Sequence, residues 1–279
     1  MIFNELLEKL EAFAPAHLAL EYDNTGYQIG RGDKEIGKIC LAIDATPDVI
    51  AQAVGGGADL LIAHHPIIFR PMARVTDADF SGRRIISLIR ADINFVALHT
   101  NFDVAHMGRV AADLLGLAER RVFEVSWVGA AAPIVDMGGP SSRESGPGTG
   151  ELGIGCFGRL PRPMSLAAYA AHVRTVFALD SLRLYGDGDT LIGGVAISPG
   201  SAGANAAALA RKAGVDLFIT GEIKHSTALS LLSEGISVIE AGHFGTEKIF
   251  TPAMMEFFAG ELPELEVFAA KEDNPFYVL

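Results

Sequence analysis

The chain has 279 residues, of which 49% are hydrophobic and 20% charged; it can bury a large core, which excludes an intrinsically disordered protein. Its 22 basic and 34 acidic residues give a net charge of 22 − 34 = −12, which disfavours nucleic acid and anionic membranes as partners. The two cysteines, Cys40 and Cys156, are far apart and form no CxxC motif, so a disulfide framework is excluded and a cytoplasmic location is favoured.

Helices and strands are predicted to alternate along the first hundred residues. The amino-terminal stretch has apolar positions at helical spacing and ends at Pro15; because it lacks a basic leader, we expect no signal peptide. No apolar run is about 18 residues long, so we expect no transmembrane helix. The alternation of predicted helices and strands indicates an α/β fold with a largely parallel sheet. The predicted elements are helices over 3–13, 47–55 and 82–91, with Thr46 as an N-cap, and strands over 37–44, 58–63 and 93–99.

The middle of the chain changes character before the first pattern returns. Residues 129–150 are rich in Gly, Pro and Ser, which predicts a flexible surface loop or hairpin tip. A strand over 152–160 and a helix over 165–178 follow. The segment Ser198–Gly203 lacks the lysine of a phosphate-binding loop, so we interpret it as a turn.

An internal repeat is predicted from two similar stretches. Both have the order strand, turn, helix, strand, and Gly57-Ala58-Asp59-Leu60 matches Gly214-Val215-Asp216-Leu217, with offsets of 143–157 residues along the repeat. We therefore expect two similar α/β lobes derived by duplication. The predicted limits are 1–125 plus 235–279 for the first lobe and 126–234 for the second.

Potential ligands cluster where the predicted strands end, and sites in open α/β sheets form at those carboxyl ends. His243 and Glu247 are four residues apart and would share one helix face, which suits metal chelation. His99 and Asn101 could orient Asp103, whereas Glu222 and His225 could transfer protons or simply begin a helix. The candidate metal ligands are His64, His65, Asp103, His243 and Glu247.

These five residues are enough for two metal ions that share a bridging carboxylate, with open positions for water. Imidazole and carboxylate ligands without thiolate favour Zn, Fe, Mn, Co or Ni over Mg or Ca. The catalytic candidates are His99, Glu222 and His225. We expect the site at the carboxyl ends of the strands, between the two lobes.

Motifs in seven segments support a family assignment, and they extend over nearly the whole chain. They are EYDNTGYQIG at 21–30, DATPDVIAQAV at 44–54, ADLLIAHHPIIF at 58–69, HTNFDVA at 99–105, ITGEIKHS at 219–226, AGHFGTE at 241–247 and NPF at 274–276. In this order they resemble the NIF3-like family, also known as DUF34 and as GTP cyclohydrolase 1 type 2 homologues. The chain resembles the short form without the central insertion. Tyr22 replaces the usual Trp, and Ser226 replaces a common second His.

The resemblance implies a two-lobed α/β fold, two metals on the five ligands named above and a toroidal homohexamer. The first functional hypothesis is a metal-dependent hydrolase that acts on a small molecule such as GTP, another nucleotide, a cyclic amide or a phosphoester. The second is a metal chaperone, store or regulator with client metalloproteins. A third, a ring around DNA, is disfavoured by the net charge of −12.

Overall fold

The computed structural model describes residues 1–129 and 150–278. These residues form two compact units. The first comprises residues 1–105 and 250–273, and the second comprises residues 106–129, 150–249 and 274–278. Among the described residues, none of the helices combines the length and apolar character that a membrane crossing requires.

The first unit is built on a five-stranded sheet with the order β1-β4-β3-β2-β11. Strands β11, β2, β3 and β4 are parallel, and β1 pairs antiparallel with β4 at the edge. The helices are α1 (Phe3–Phe13), α2 (Pro47–Gly55), α3 (Phe80–Arg90), α4 (Thr100–Phe102) and α10 (Phe250–Glu261), and the strands are β1 (Gly26–Ile29), β2 (Lys38–Ala42), β3 (Leu60–Ala63), β4 (Asn94–Ala97) and β11 (Glu266–Ala269).

The second unit contains a six-stranded mixed sheet with the order β5-β6-β8-β9-β10-β7. Strands β8, β9 and β10 are parallel, and the other pairs are antiparallel. The helices are α5 (Gly108–Leu114), α6 (Leu166–Val176), α7 (Ala206–Ala213), α8 (His225–Ser233) and α9 (His243–Glu247), and the strands are β5 (Ala118–Val128), β6 (Glu151–Ser165), β7 (Arg183–Tyr185), β8 (Leu191–Ser201), β9 (Leu217–Glu222) and β10 (Ser237–Glu240).

Local sequence explains the central elements of the first unit. Every residue of β3 and of β4 is buried, as expected for parallel strands with both faces covered. The side chain of Thr46 caps α2 by accepting a hydrogen bond from the N–H of Val49, and Pro47 occupies the first helical position. The predicted strands, helices and N-cap of this region are therefore confirmed.

The predicted internal repeat is confirmed by matching hydrogen bonds in the two units. The Asp59 carboxylate accepts from the N–H groups of Gly37 and Lys38 at 2.9 and 3.0 Å. The Asp216 carboxylate accepts from the N–H groups of Gly193 and Gly194 at 2.9 and 2.8 Å.

The offset between the repeats is 216 − 59 = 157 residues at these aspartates. Strand register places Ala97 and Glu240 at equivalent positions, with an offset of 240 − 97 = 143 residues. Each aspartate accepts from two consecutive N–H groups, at the start of β2 in one unit and within β8 in the other. The shared Gly-x-Asp-Leu motif therefore has a similar structural role in both lobes.

The sheets group the chain differently from the predicted lobe limits of 1–125 plus 235–279 and 126–234. Residues 118–125 belong to β5, which pairs with β6, and residues 237–240 form β10, which pairs with β9. Both segments therefore lie in the second unit. The predicted loop over 129–150 lies almost wholly outside the described residues; at its ends, the N–H of Gly129 donates to the carbonyl of Gly150 at 3.1 Å.

Candidate metal centre

Three imidazoles of the first unit lie together at the carboxyl ends of two paired strands. His64 and His65 directly follow β3, and His99 lies two residues beyond β4. One ring nitrogen from each histidine lies within 4.8 Å of the corresponding nitrogens of the other two. The ring centroids are 5.0, 5.2 and 5.5 Å apart. The parallel pairing of β3 with β4 therefore assembles a group of donors that could hold a metal ion.

The Nδ1 atoms of His64 and His65 have fixed acceptors. His64 is fully buried and donates from Nδ1 to the carbonyl of Leu98 at 2.8 Å, since a carbonyl can only accept. Nδ1 of His65 donates to the Asp44 carboxylate at 2.9 Å. In the neutral tautomer that these bonds select, Nε2 of each ring carries the lone pair that a metal would use.

Asp23 holds His99 in the same way. Its carboxylate accepts from Nδ1 of His99 at 2.8 Å and from the N–H and Oγ1 of Thr100 at 3.0 and 2.6 Å. Burial alone would raise the pKa of Asp23, but the hydrogen bonds from His99 and Thr100 outweigh it and lower the pKa from 3.8 to about 2. The carboxylate is therefore ionised at neutral pH and fixes the His99 ring.

A second carboxylate fixes the backbone that carries Asp44. Glu272 follows β11 and accepts hydrogen bonds from the N–H groups of Ile43 and Asp44 at 2.7 and 2.9 Å. Burial raises the pKa of Glu272, and these two backbone hydrogen bonds partly oppose that effect. These bonds fix the backbone just after β2 and therefore the position of Asp44, the acceptor for His65.

Asp103 lies close to the histidine group, on the helical segment that follows His99. It begins a π-helical turn, Asp103–Met107, of a kind that is frequent at functional sites. Its Oδ1 lies 3.6 Å from Nε2 of His64. The ring of Phe250 packs against His64 with centroids 5.2 Å apart, so this side of the donor group is apolar.

The second unit carries a separate donor pair on the short helix α9. Nε2 of His243 lies 3.0 Å from Oε2 of Glu247, at the predicted i, i+4 spacing. Glu247 is only 5% exposed. Nδ1 of His243 lies 3.4 Å from Oε2 of Glu222, which also accepts from Oγ of Ser201 at 3.0 Å. Three predicted site residues of this unit therefore meet.

Two glycines let α9 pack against β8 and β9. Gly200 has φ = +70°, and a Cβ at this position would lie 2.2 Å from Oε1 of Glu247. A Cβ on Gly221 would lie 2.5 Å from the carbonyl oxygen of Gly200 and 2.8 Å from the Cα of His243. The Gly200 segment, interpreted from sequence as a turn, is the end of strand β8, and its glycine provides the space for the Glu247 carboxylate.

The structure brings the predicted residues together unit by unit. His64, His65, His99 and Asp103 meet in the first unit. His225 begins α8 and is exposed, and its side chain makes no hydrogen bond or ion pair within residues 1–129 and 150–278. The joining of His243 and Glu247 with the ligands of the first unit stays a prediction, as do the catalytic roles of His99, Glu222 and His225.

Sequence reasoning missed the residues that orient the donors. The predicted site residues do not include Asp23, Asp44 or Glu272, although each supports a histidine directly or through the backbone. Asp23 and Asp44 lie within the motif segments 21–30 and 44–54, which offered a signal for both. Glu272 lies far from the other site residues in sequence and carries no such signal.

The donor chemistry fits a divalent transition metal. Imidazole nitrogens whose Nδ1–H is held by a carboxylate or carbonyl are the usual form of histidine ligands. A nearby carboxylate adds negative charge and oxygen ligands, and no thiolate takes part, since Cys40 and Cys156 are buried elsewhere in strands β2 and β6.

The sequence is similar to known proteins over nearly its full length. A family model described as Duf34/NIF3 (NGG1p interacting factor 3) matches residues 1–275. A Clostridium perfringens protein named GTP cyclohydrolase 1 type 2 homolog is 31% identical over 249 residues, which cover 88% of this chain and 87% of that protein. A Streptococcus pneumoniae protein with the same name is 33% identical over 250 residues, covering 88% and 85%.

Solved structures show the same fold. A Bacillus cereus protein related to NIF3 superimposes with a TM-score of 0.86 at 21% identity, covering 100% of this chain and 99% of that chain. A Staphylococcus aureus hypothetical protein gives a TM-score of 0.85 at 26% identity with the same coverage. The two-lobed α/β fold predicted from the sequence is therefore confirmed.

Proposed function

Because the chain belongs to the Duf34/NIF3 family, we propose that it is a dinuclear metal protein that hydrolyses a small molecule with a metal-activated water. The observation that carries the proposal is the group of three imidazoles whose Nδ1 atoms all have fixed acceptors. Such prior orientation of donors suits a site that keeps its geometry through a reaction. We further propose a cytoplasmic homohexamer, as the family resemblance implies.

The proposed metal ligands come from both units. The first unit would supply His64, His65 and the carboxylate of Asp103, which can bridge two cations. The second unit would supply His243 and Glu247, whose donor atoms already lie 3.0 Å apart. Five mixed nitrogen and oxygen ligands leave coordination positions for water and substrate, as catalytic sites require.

Bound divalent metal would lower the pKa of a water molecule and polarise the scissile group. His99 would accept a proton at Nε2, because Asp23 holds the opposite ring nitrogen as the donor. Glu222, the exposed last residue of β9, would transfer a proton close to His243. The Phe250 ring beside His64 would limit access of bulk water.

The substrate class remains broad in this proposal: a nucleotide, a cyclic amide or a phosphoester. The name of the curated relatives, GTP cyclohydrolase 1 type 2 homolog, makes GTP the first compound to test. His225 is proposed as a further proton carrier, and its exposed position at the start of α8 would let it meet a substrate from solvent.

A metal chaperone, store or regulator is the second candidate function. The exposure of Glu222 and the partial exposure of His243 favour it, because accessible ligands permit metal exchange with client metalloproteins. Rapid exchange without turnover would distinguish this function from hydrolysis.

The experiment that tests the proposal is elemental analysis of untagged protein purified without chelator. We expect about two transition-metal ions per chain in the wild type and clear losses in Asp103→Ala and Glu247→Ala. His172→Ala is the matched control, since His172 is an exposed helix residue outside both donor groups. Equal metal content in all three variants would refute the ligand assignment.

Two further measurements complete the test. The metal-loaded protein is screened for hydrolysis of GTP, cyclic amides and phosphoesters; turnover that Asp103→Ala abolishes supports the enzyme. Light scattering should give about six times 29.5 kDa, and a monomeric mass would refute the hexamer.

A further inference from the structure

Two exposed aromatic rings stand next to the histidine group of the first unit. Tyr22 is 66% exposed and Phe69 is 41% exposed. Their rings meet edge to face with centroids 6.4 Å apart, and the Phe69 ring lies 6.2 Å from that of His99. Large apolar rings left in solvent beside a site are candidates for ligand contact.

The segment that carries Phe69 is fixed by polar side chains. Oε1 of Gln28 accepts from the N–H groups of Ile67 and Ile68 at 3.1 and 3.0 Å, and its Nε2 donates to the Ile68 carbonyl at 3.1 Å. Nδ2 of Asn24 donates to the same carbonyl. Phe69 is therefore exposed, but the backbone that precedes it is fixed by these hydrogen bonds.

The position of Tyr22 is fixed relative to the histidine group by the next residue, Asp23. Asp23 follows Tyr22 directly and holds both His99 and Thr100 through its buried carboxylate. The Tyr22 backbone therefore has a fixed position relative to His99. Because Asn24 also bonds to Ile68, the two aromatic rings are held close together before any ligand binds.

The size and chemistry of this surface indicate what it binds. Two such rings expose roughly 200 Å², which is far below the about 800 Å² that each partner of a stable protein interface buries. Flat aromatic faces bind other flat rings by stacking, and such contacts tolerate differences in ring identity. A planar small molecule fits this surface better than a second protein chain does.

We propose that Tyr22 and Phe69 bind the planar heteroaromatic ring of the substrate and place the rest of that molecule beside His99. This inference rests on the proposed hydrolytic function and narrows its substrate class to compounds that carry a nucleobase-sized ring. Tyr22 and Phe69 determine specificity and take no part in proton transfer.

The test uses calorimetry to compare binding of GMP, AMP and UMP with binding of ribose 5-phosphate. The protein is used with the metal that it retains through purification. Ribose 5-phosphate keeps the sugar and phosphate but lacks the ring. We expect Tyr22→Ala and Phe69→Ala each to weaken nucleotide binding about tenfold or more and to leave ribose 5-phosphate binding unchanged. Tyr22→Phe keeps the ring and should bind as the wild type, whereas Phe69→Leu keeps apolar volume alone and should bind as Phe69→Ala.

The control is Tyr277→Ala, which removes a tyrosine that is 84% exposed and lies outside both segments; it should bind nucleotides as the wild type. Wild-type protein that binds the three nucleotides no more tightly than ribose 5-phosphate overturns the proposal. Ring-removing variants that keep nucleotide affinity but change the oligomeric mass also overturn it, because a second copy then covers the rings. Metal content measured on the same samples separates these results from failure of the metal site itself.

Discussion

Replacement of Gly200 by alanine should damage metal binding while leaving the fold nearly intact. The new Cβ would lie 2.2 Å from Oε1 of Glu247 and 3.7 Å from Nε2 of His243. Oε1 is the end of a side chain, so the Glu247 carboxylate can swing away instead of forcing the backbone apart. The displaced carboxylate would no longer sit where the proposed ligand set needs it.

Gly214→Ala is the matched control. Gly214 has φ = +64°, close to the +70° of Gly200, but a Cβ on Gly214 meets no atom within 4 Å. Both variants therefore place alanine at a positive φ, which costs about 1–2 kcal/mol. For a chain of this size each kcal/mol lowers Tm by about 2–4 °C, so both variants should lose a similar few degrees.

The assay is competition for metal against a chromogenic chelator, with thermal unfolding of the metal-free proteins measured in parallel. We expect Gly200→Ala to bind metal about 10–100-fold more weakly than the wild type, the range found when a ligand loses its orientation. Gly214→Ala should bind as the wild type. Equal affinities in the two variants would refute the argument that the Glu247 carboxylate needs the space at Gly200.

Two further predictions concern charge and the internal repeat. The pKa of Asp23 is lowered from 3.8 to about 2, so its contribution to stability is fully present above about pH 4 and is lost as the pH falls toward 2. In urea titrations, the free energy of unfolding of the wild type should therefore fall by about 2 kcal/mol more than that of Asp23→Asn between about pH 5 and 2. An unchanged pH profile would contradict this. Asp59→Ala and Asp216→Ala each remove an acceptor from two backbone N–H groups, and each should lower the free energy of unfolding by about 1–3 kcal/mol. Clearly unequal losses in denaturant titrations would show that the repeated motif is not equivalent in the two sheets.

Much of the scaffold could be predicted because its signals are local. Uninterrupted apolar runs marked β2, β3 and β4, and Thr46 with Pro47 marked the start of α2. The repeated Gly-x-Asp-Leu motif indicated two lobes, and its aspartates make the same pair of hydrogen bonds in each. Strands β5 and β7 were not predicted, because both mix polar and apolar residues and have no continuous apolar run. Both lie at the edges of their sheet.

The proximity of some candidate ligands could also be predicted from the sequence. Parallel strands end at a common edge, so His64, His65 and His99 could be placed near one another from strand order alone. The spacing of His243 and Glu247 predicted their contact, which the structure gives as 3.0 Å. Residue type and short-range spacing are enough for such inferences because helix and strand geometry fix the directions of neighbouring side chains.

Only the tertiary structure decided what orients the donors. Asp23 lies 76 residues from His99, and Glu272 lies 228 residues from the Asp44 backbone that it holds. Gly200 is required by a carboxylate on another element, at Glu247. No local pattern encodes these contacts, because they arise where chain segments distant in sequence pack together. The sequence by itself therefore determined the scaffold and the residue types of the candidate ligands, because these depend on local patterns. Packing determined which ring nitrogen of His64, His65 and His99 is held by a protein acceptor.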